Sequence, residues 1–174
     1  CGFLCQIYRG STIAYCEGLR YIMKNMKEVH PTMILCVPLL IETMYHKIWA
    51  NIRKNGMEKM VKKALAASNA SRKIGIDLRK KLFSEIHETF GGKLRMMIAG
   101  GAAVDPDILK GLRDFGILAV QGYGLTECAP LAAVNRDKFY CDSSAGLATP
   151  NATLEIVDAA EDGTGDIRFK GENI

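Results

Sequence analysis

The sequence predicts an α/β fold: a mostly parallel sheet flanked by helices, with a smaller β-rich segment at the C-terminal end. Short apolar runs at Met33–Val37, Leu94–Ala99 and Ile117–Val120 are bounded by Pro or Gly, the pattern of buried strands. Apolar residues at helical spacing fill the stretches between them, so strands and helices alternate as in a parallel sheet. Beyond Pro130 the texture changes to short strands without long helical stretches between them.

Taken in order, residues 1–9 are apolar, and Ser11–Cys16 alternates enough for a strand. Glu17–Val29 carries Leu19, Ile22, Met23, Met26 and Val29 at helical spacing, and Pro31 lies just beyond. Pro38 closes the Met33–Val37 strand. Leu40, Met44, Tyr45, Ile48 and Ile52 mark one face of a helix running to about Arg53. Gly56 interrupts, Met57–Ala67 resumes as a shorter helix, and Asn69–Ser71 reads as a polar break. Leu78, Leu82, Phe83, Ile86 and Phe90 outline a further amphipathic helix, stopped by Gly91-Gly92. After the Leu94 strand, Asp105 is a plausible N-cap with Pro106 at the first helical position, opening a helix to Phe115. The late strands are Leu131–Val134, Thr153–Val157 and Asp166–Phe169, with a hairpin turn at Asp162-Gly163.

The 174 residues amount to about one domain, and 48% hydrophobic content can fill a core. No apolar run reaches the roughly 18 residues that a spanning helix needs, and no basic segment precedes an apolar stretch as in a signal peptide. Cysteines at 1, 5, 16, 36, 128 and 141 form no C-x-x-C pair, and His30, His46 and His87 are scattered, so metal-ligand spacing is absent. Unpaired thiols without a signal suit a reducing cytoplasm. Cys128 follows Glu127 with no histidine near in sequence and reads as a buried thiol rather than a nucleophile. The net charge of +4 is uneven: residues 39–90 hold eleven Lys/Arg and five Asp/Glu. That segment is either the solvated face of helices or a surface for anionic lipid at the inner face of the membrane or for a phosphorylated ligand. Nothing points to nucleic acid.

The chemistry concentrates in Gln121-Gly122-Tyr123-Gly124-Leu125-Thr126-Glu127, directly after the Ile117 strand. Two glycines one residue apart allow a sharp turn and close approach to a ligand. A ring, a hydroxyl and a carboxylate are what a magnesium nucleotide requires: a stacking face, a donor to a phosphate oxygen and a hard oxygen ligand. The plainer reading is a Gly-rich hairpin turn with Tyr123 in the core and Glu127 in solvent. A second Gly-rich turn, Gly100-Gly101-Ala102-Ala103, follows the Leu94 strand.

Q-G-Y-G-L-T-E resembles the signature of the AMP-forming acyl-CoA synthetases, in the adenylate-forming superfamily. P-T-M-I-L-C-V-P at residues 31–38, L-R-M-M-I-A-G-G-A-A at 94–103 and G-T-G-D-I-R-F-K-G-E-N-I at 163–174 agree with it in order. The resemblance covers essentially the whole chain and is closest to the long-chain fatty-acid ligases. It implies that a fatty acid is activated by ATP and Mg²⁺ as acyl-AMP and passed to coenzyme A. By this resemblance Tyr123 lies along the adenine, Thr126 donates to the α-phosphate, and Glu127 holds Mg²⁺. Gln121, Gly122 and Gly124 belong to the same nucleotide-binding segment. Gly100, Gly101 and Ala102 pass close to adenine and acyl head, where φ > 0 and close contact favour glycine.

The resemblance also implies a piece of a larger enzyme: residues 1–9 are the tail of a helix, residues 1–130 form the acyl- and nucleotide-binding α/β part, and 131–174 begin a β-rich subdomain. A Ser/Thr/Gly-rich phosphate loop, a ribose-binding Asp and a catalytic Lys are absent, so the chain alone is expected to be inactive. Asp166 stands where the family more often has Glu. A dinucleotide-binding oxidoreductase built on 94–101 is a second class, although A-G-G-A-A-V departs from G-x-G-x-x-G. A non-enzymatic module using the basic 39–90 segment is a third.

Overall fold

The protein's structure is a computed structural model that describes residues 2–172 and residue 174. Two sequence expectations, the helix tail from residue 1 and the block ending at 174, therefore each include a residue (Cys1, Asn173) outside the described set. The elements run α1 (Leu4–Tyr8), a 3-10 turn (Leu19–Tyr21), α2 (Ile22–Val29), β1 (Met33–Cys36), α3 (Pro38–Lys54) and α4 (Glu58–Lys73). They continue with α5 (Arg79–Leu82), α6 (Ser84–Thr89), β2 (Met96–Ala99), α7 (Pro106–Asp114), β3 (Leu118–Tyr123) and a 3-10 turn (Thr126–Cys128). The chain then adds β4 (Ala133–Val134), β5 (Leu147–Ala148), β6 (Ala152–Val157) and β7 (Asp166–Gly171).

A five-stranded sheet has the order β1-β2-β3-β4-β5, parallel across the first three strands and antiparallel after β3. Each parallel step is bridged by helix, α3–α6 between β1 and β2 and α7 between β2 and β3. Register places Ile34, Met97 and Ala119 in one row and Cys36 beside Ala99. That face meets Ile41, Met44 and Ile48 of α3 and Leu109 and Leu112 of α7 in one apolar cluster. The aromatic rings continue it: Phe83 and Phe115 stand edge to face with centroids 5.2 Å apart. Burial in this cluster pushes the Cys36 thiol up to about 11, so it stays protonated and unreactive.

Several boundaries differ from expectation, each for a physical reason. Ser11–Cys16 forms no strand; it finds no partner strand, and its end is tied by Glu17 N–H donating to Asn25 Oδ1 (3.1 Å). The helix begins at Ile22, preceded by the 3-10 turn, and His30 caps its end in the left-handed region (φ 51°). Pro38 opens α3 rather than closing the strand, because the N1 site needs no N–H. The polar break at Asn69–Ser71 is absent: α4 runs through it, with Ser71 Oγ donating to Ser68 O (2.9 Å). The Leu78–Phe90 helix is split at Phe83, whose burial in the aromatic stack takes its backbone out of helical geometry (ψ 30°). Strand β3 runs on through Gly122 and Tyr123 because β4 pairs with them.

The strands after Pro130 divide between two sheets. β4 and β5 extend the main sheet, and β6 and β7 form a separate antiparallel pair. The expected Asp162-Gly163 turn joins the pair: Gly163 has φ 83°, and Thr164 N–H donates to Asp162 Oδ1 (3.0 Å). No helix of the described residues is long and apolar enough to cross a membrane.

Candidate functional site at the ends of the parallel strands

Parallel strands all point the same way, so the loops leaving β2 and β3 emerge side by side at the carboxyl edge of the sheet. This edge is where open α/β sheets hold ligands. Ala99 at the end of β2 pairs with Gln121 near the end of β3. The Gly100–Ala103 turn and the Gly124–Cys128 loop are thus neighbours by construction. Gly101, Ala102, Thr126 and Glu127 are exposed, and Gly100 and Tyr123 are half-buried.

The glycines divide into separate roles. Gly101 has φ +93°, a region open to glycine at little cost, and a Cβ there would meet nothing within 4 Å. Gly100 has an ordinary φ and equally open surroundings, so the expected left-handed backbone holds at Gly101 and not at Gly100. Neither Gly122 nor Gly124 has positive φ. At Gly124 a Cβ would collide with the carbonyl oxygen of Pro130, and at Gly122 it would press on Ala133 O at 3.0 Å. The close approach made by these two glycines is to the chain's own returning strand.

Thr126 and Glu127 sit in a single 3-10 turn whose end is fixed by Ala129 in the left-handed region (φ 51°). Cys128 N–H donates to Leu125 O (3.0 Å), and Ala132 N–H donates to Tyr123 O (3.0 Å). Backbone bonds at both ends close this short loop, and the Thr126 hydroxyl and Glu127 carboxylate are exposed on it. Among the described residues no three His, Cys, Asp or Glu side chains cluster as a metal cage. A lone exposed carboxylate such as Glu127 instead fits Mg²⁺, which keeps several waters and takes one or two carboxylates plus substrate phosphates.

Gln121 lies beneath this edge and is buried. Its Oε1 accepts from Val104 N–H (2.9 Å), and its Nε2 donates to Asp142 O (2.8 Å) and Ser144 O (3.3 Å). Its carboxamide is therefore committed within the protein. Asn135, also buried, donates from Nδ2 to Gln121 O (3.1 Å) and Ser144 O (2.7 Å) and accepts Cys141 N–H (2.9 Å). Arg113 of α7 pairs with both carboxylate oxygens of Asp142 and lies 4.3 Å from the Tyr140 ring centroid. Asn135, Arg113 and Asp142 escaped the sequence reading. Arg113 carried a signal: it follows Leu109 and Leu112 on the inner stripe of its helix, and a charge placed there requires a partner.

A cavity of about 410 Å³ lies elsewhere, between α3, α4 and α7, lined by Tyr45, Trp49, Lys62, Leu65 and Lys110 among others. Lys62 and Lys110 are already paired with Glu58 (2.7 Å) and Asp114 (2.9 Å). The cavity contains none of the motif residues.

A family described as AMP-binding enzyme matches residues 1–174. Long-chain-fatty-acid–CoA ligase 1 of Cavia porcellus is 28% identical over 187 aligned positions, covering 100% of this chain and 26% of that protein. Probable CoA ligase CCL6 of Humulus lupulus is 32% identical over 132 positions, covering 70% of this chain and 20% of that protein. The chain thus spans about a quarter of the length of the curated relatives it matches. In fold, it resembles a malonyl-CoA ligase solved as a ternary product complex with methylmalonyl-CoA and AMP (TM-score 0.60, 19% identity), covering 99% of this chain and 32% of that one. It also resembles a long-chain-fatty-acid-CoA ligase from Archaeoglobus fulgidus (TM-score 0.52, 17% identity), covering 90% of this chain and 28% of that one. With its full length matched, the chain belongs to the AMP-binding enzyme family.

Proposed function

We propose that this chain supplies part of the nucleotide site of an acid–thiol ligase that activates a long-chain fatty acid. The observation that carries the reading is the juxtaposition of the 100–103 turn and the 124–128 loop at the ends of adjacent parallel strands. The long-chain substrate rests on the ligases named among the relatives.

In the proposed reaction a carboxylate oxygen attacks the α-phosphorus of ATP, the bond to the β-phosphate breaks, and pyrophosphate leaves. The thiol sulfur of coenzyme A then attacks the acyl carbon, AMP leaves, and the thiol proton is lost to solvent. Attack of an anion on a polyanion depends on aimed donors and positive charge more than on covalent help. Mg²⁺, when bound, supplies positive charge at the phosphates. Tyr123 offers its face to the base, Thr126 offers a hydroxyl to the α-phosphate, and Glu127 offers the metal an oxygen from a loop that does not need to reorganise.

The test is to supply the full-length protein with ATP, Mg²⁺, palmitate and coenzyme A. AMP and palmitoyl thioester should appear in equal amounts, and Tyr123→Ala should raise the KM for ATP. AMP without thioester would remove the thiol step, and no palmitate-dependent AMP would remove the fatty acid as substrate.

A further inference from the structure

The polar network beneath the candidate site joins segments far apart in sequence, and Gln121 is where they meet. Its Oε1 holds Val104 N–H at the end of the 100–103 turn (2.9 Å). Its Nε2 holds the 135–146 loop through Asp142 O and Ser144 O. Its backbone carbonyl accepts from both the N–H (3.1 Å) and the Nδ2 (3.1 Å) of Asn135, just past the end of β4. Tyr123 follows Gln121 by two residues on β3.

We infer that Gln121 is a positioning residue: its carboxamide sets the separation between the 100–104 turn and Tyr123, and the 135–146 loop locks that carboxamide in place. The side chain is buried and its amide atoms are bonded within the protein, so its influence passes through Val104 and Tyr123. Each polar atom of the amide has a named partner, which fixes its orientation, since O and N cannot be exchanged without facing donor to donor and acceptor to acceptor. The lock has its own anchor. Arg113, nearly buried on α7, grips the Asp142 carboxylate and donates to Ala119 O (3.2 Å) on β3. Turn, strand, loop and helix are thereby tied around a single side chain. A fully satisfied buried network of this kind rigidifies what it connects, whereas one missing member leaves buried groups without partners. The inference rests on the nucleotide reading only for its consequence at Tyr123.

Gln121→Leu keeps bulk and removes both polar ends. In the folded full-length protein the Val104 amide should exchange with solvent at least about tenfold faster. The KM for ATP should rise about tenfold with a smaller change in kcat, because the turn and the ring no longer hold their spacing. Combined with Tyr123→Ala, the two effects should fail to multiply, as expected of residues acting on one contact. A Val104 amide as protected as in the wild type, or effects on KM that multiply, overturns the inference. Tyr123→Ala with no effect on KM would sink the nucleotide reading instead; Val104 exchange then decides the inference alone, faster exchange supporting it and unchanged exchange overturning it. Should Gln121→Leu fail to fold, Asp142→Asn leaves Gln121 intact and removes the charge and one acceptor of the Arg113 pair. It should raise Val104 exchange by a smaller factor of the same sign, and unchanged exchange there also overturns the inference.

Discussion

At the residue scale the two glycine pairs separate stability from binding. Gly124 has no room for a Cβ, since the Pro130 carbonyl oxygen occupies the space. Gly124→Ala should therefore cost about 1–3 kcal/mol, as overpacking does, and chemical denaturation would read it directly. Gly100 has open space and an ordinary φ, so Gly100→Ala should change stability by less than about 0.5 kcal/mol. If a ligand packs against that turn, the same variant should nevertheless raise the KM for ATP. A stable Gly100→Ala variant with unchanged KM would take Gly100 out of the site. Tyr123→Ala should weaken ATP binding by about 1–3 kcal/mol, while Tyr123→Phe keeps the stacking face and should bind as the wild type does. Sequence singled out the ring, hydroxyl and carboxylate as an uncommon combination in a short span, and only the family resemblance favoured a nucleotide site over a plain hairpin turn. Sequence could not show that Gln121 faces inward, because its role depends on Val104 and on Asp142 and Ser144 arriving from two other segments.

At the scale of elements, helix α7 illustrates what local chemistry determines. Asp105 accepts Asp107 N–H at 2.8 Å with Pro106 at N1, as its sequence signature requires. Asp105→Ala should cost about 1 kcal/mol, read as a lowered Tm. Helix α6 depends on a tertiary contact instead. His87 is buried with Nε2 2.9 Å from Phe115 O, the ring nitrogen donating, and burial holds its pKa below the ordinary 6.5. The unfolded chain then binds the proton more readily than the folded one. Stability should be flat above about pH 6.5 and fall as pH drops below it, until the folded-state pKa is reached. Denaturation midpoints at pH 7.5 and 5.5 should differ less in His87→Gln than in the wild type. The elements legible in sequence were those written in local signals: β1, β2, α3, α7 and the β6–β7 turn. Two of those misjudged depended on distant partners. Phe83 broke a helix to complete an aromatic stack, and β4 drew β3 past Gly122, the glycine expected to end it.

At the scale of the whole molecule, the parallel core carries the Tyr123–Glu127 loop on a rigid frame, yet the chain matches only about a quarter of its curated relatives. The resemblance assigns the phosphate loop, the ribose-binding Asp and the catalytic Lys to parts this sequence does not contain. Preorganised charge stabilisation is usually the largest catalytic contribution, with single donors worth roughly 3–4 kcal/mol. The 174-residue chain alone, given ATP, Mg²⁺, palmitate and coenzyme A, should therefore release no AMP above a protein-free control. Turnover by the isolated chain would place catalysis inside it. The most direct measurement of the central claim is carboxylate-dependent exchange of pyrophosphate into ATP by full-length Glu127→Gln. The substitution keeps shape and removes the charge offered to Mg²⁺, so exchange should fall by about a hundredfold or more while the protein stays folded. Exchange at the wild-type rate would show that the Tyr123–Glu127 loop does not hold the metal nucleotide.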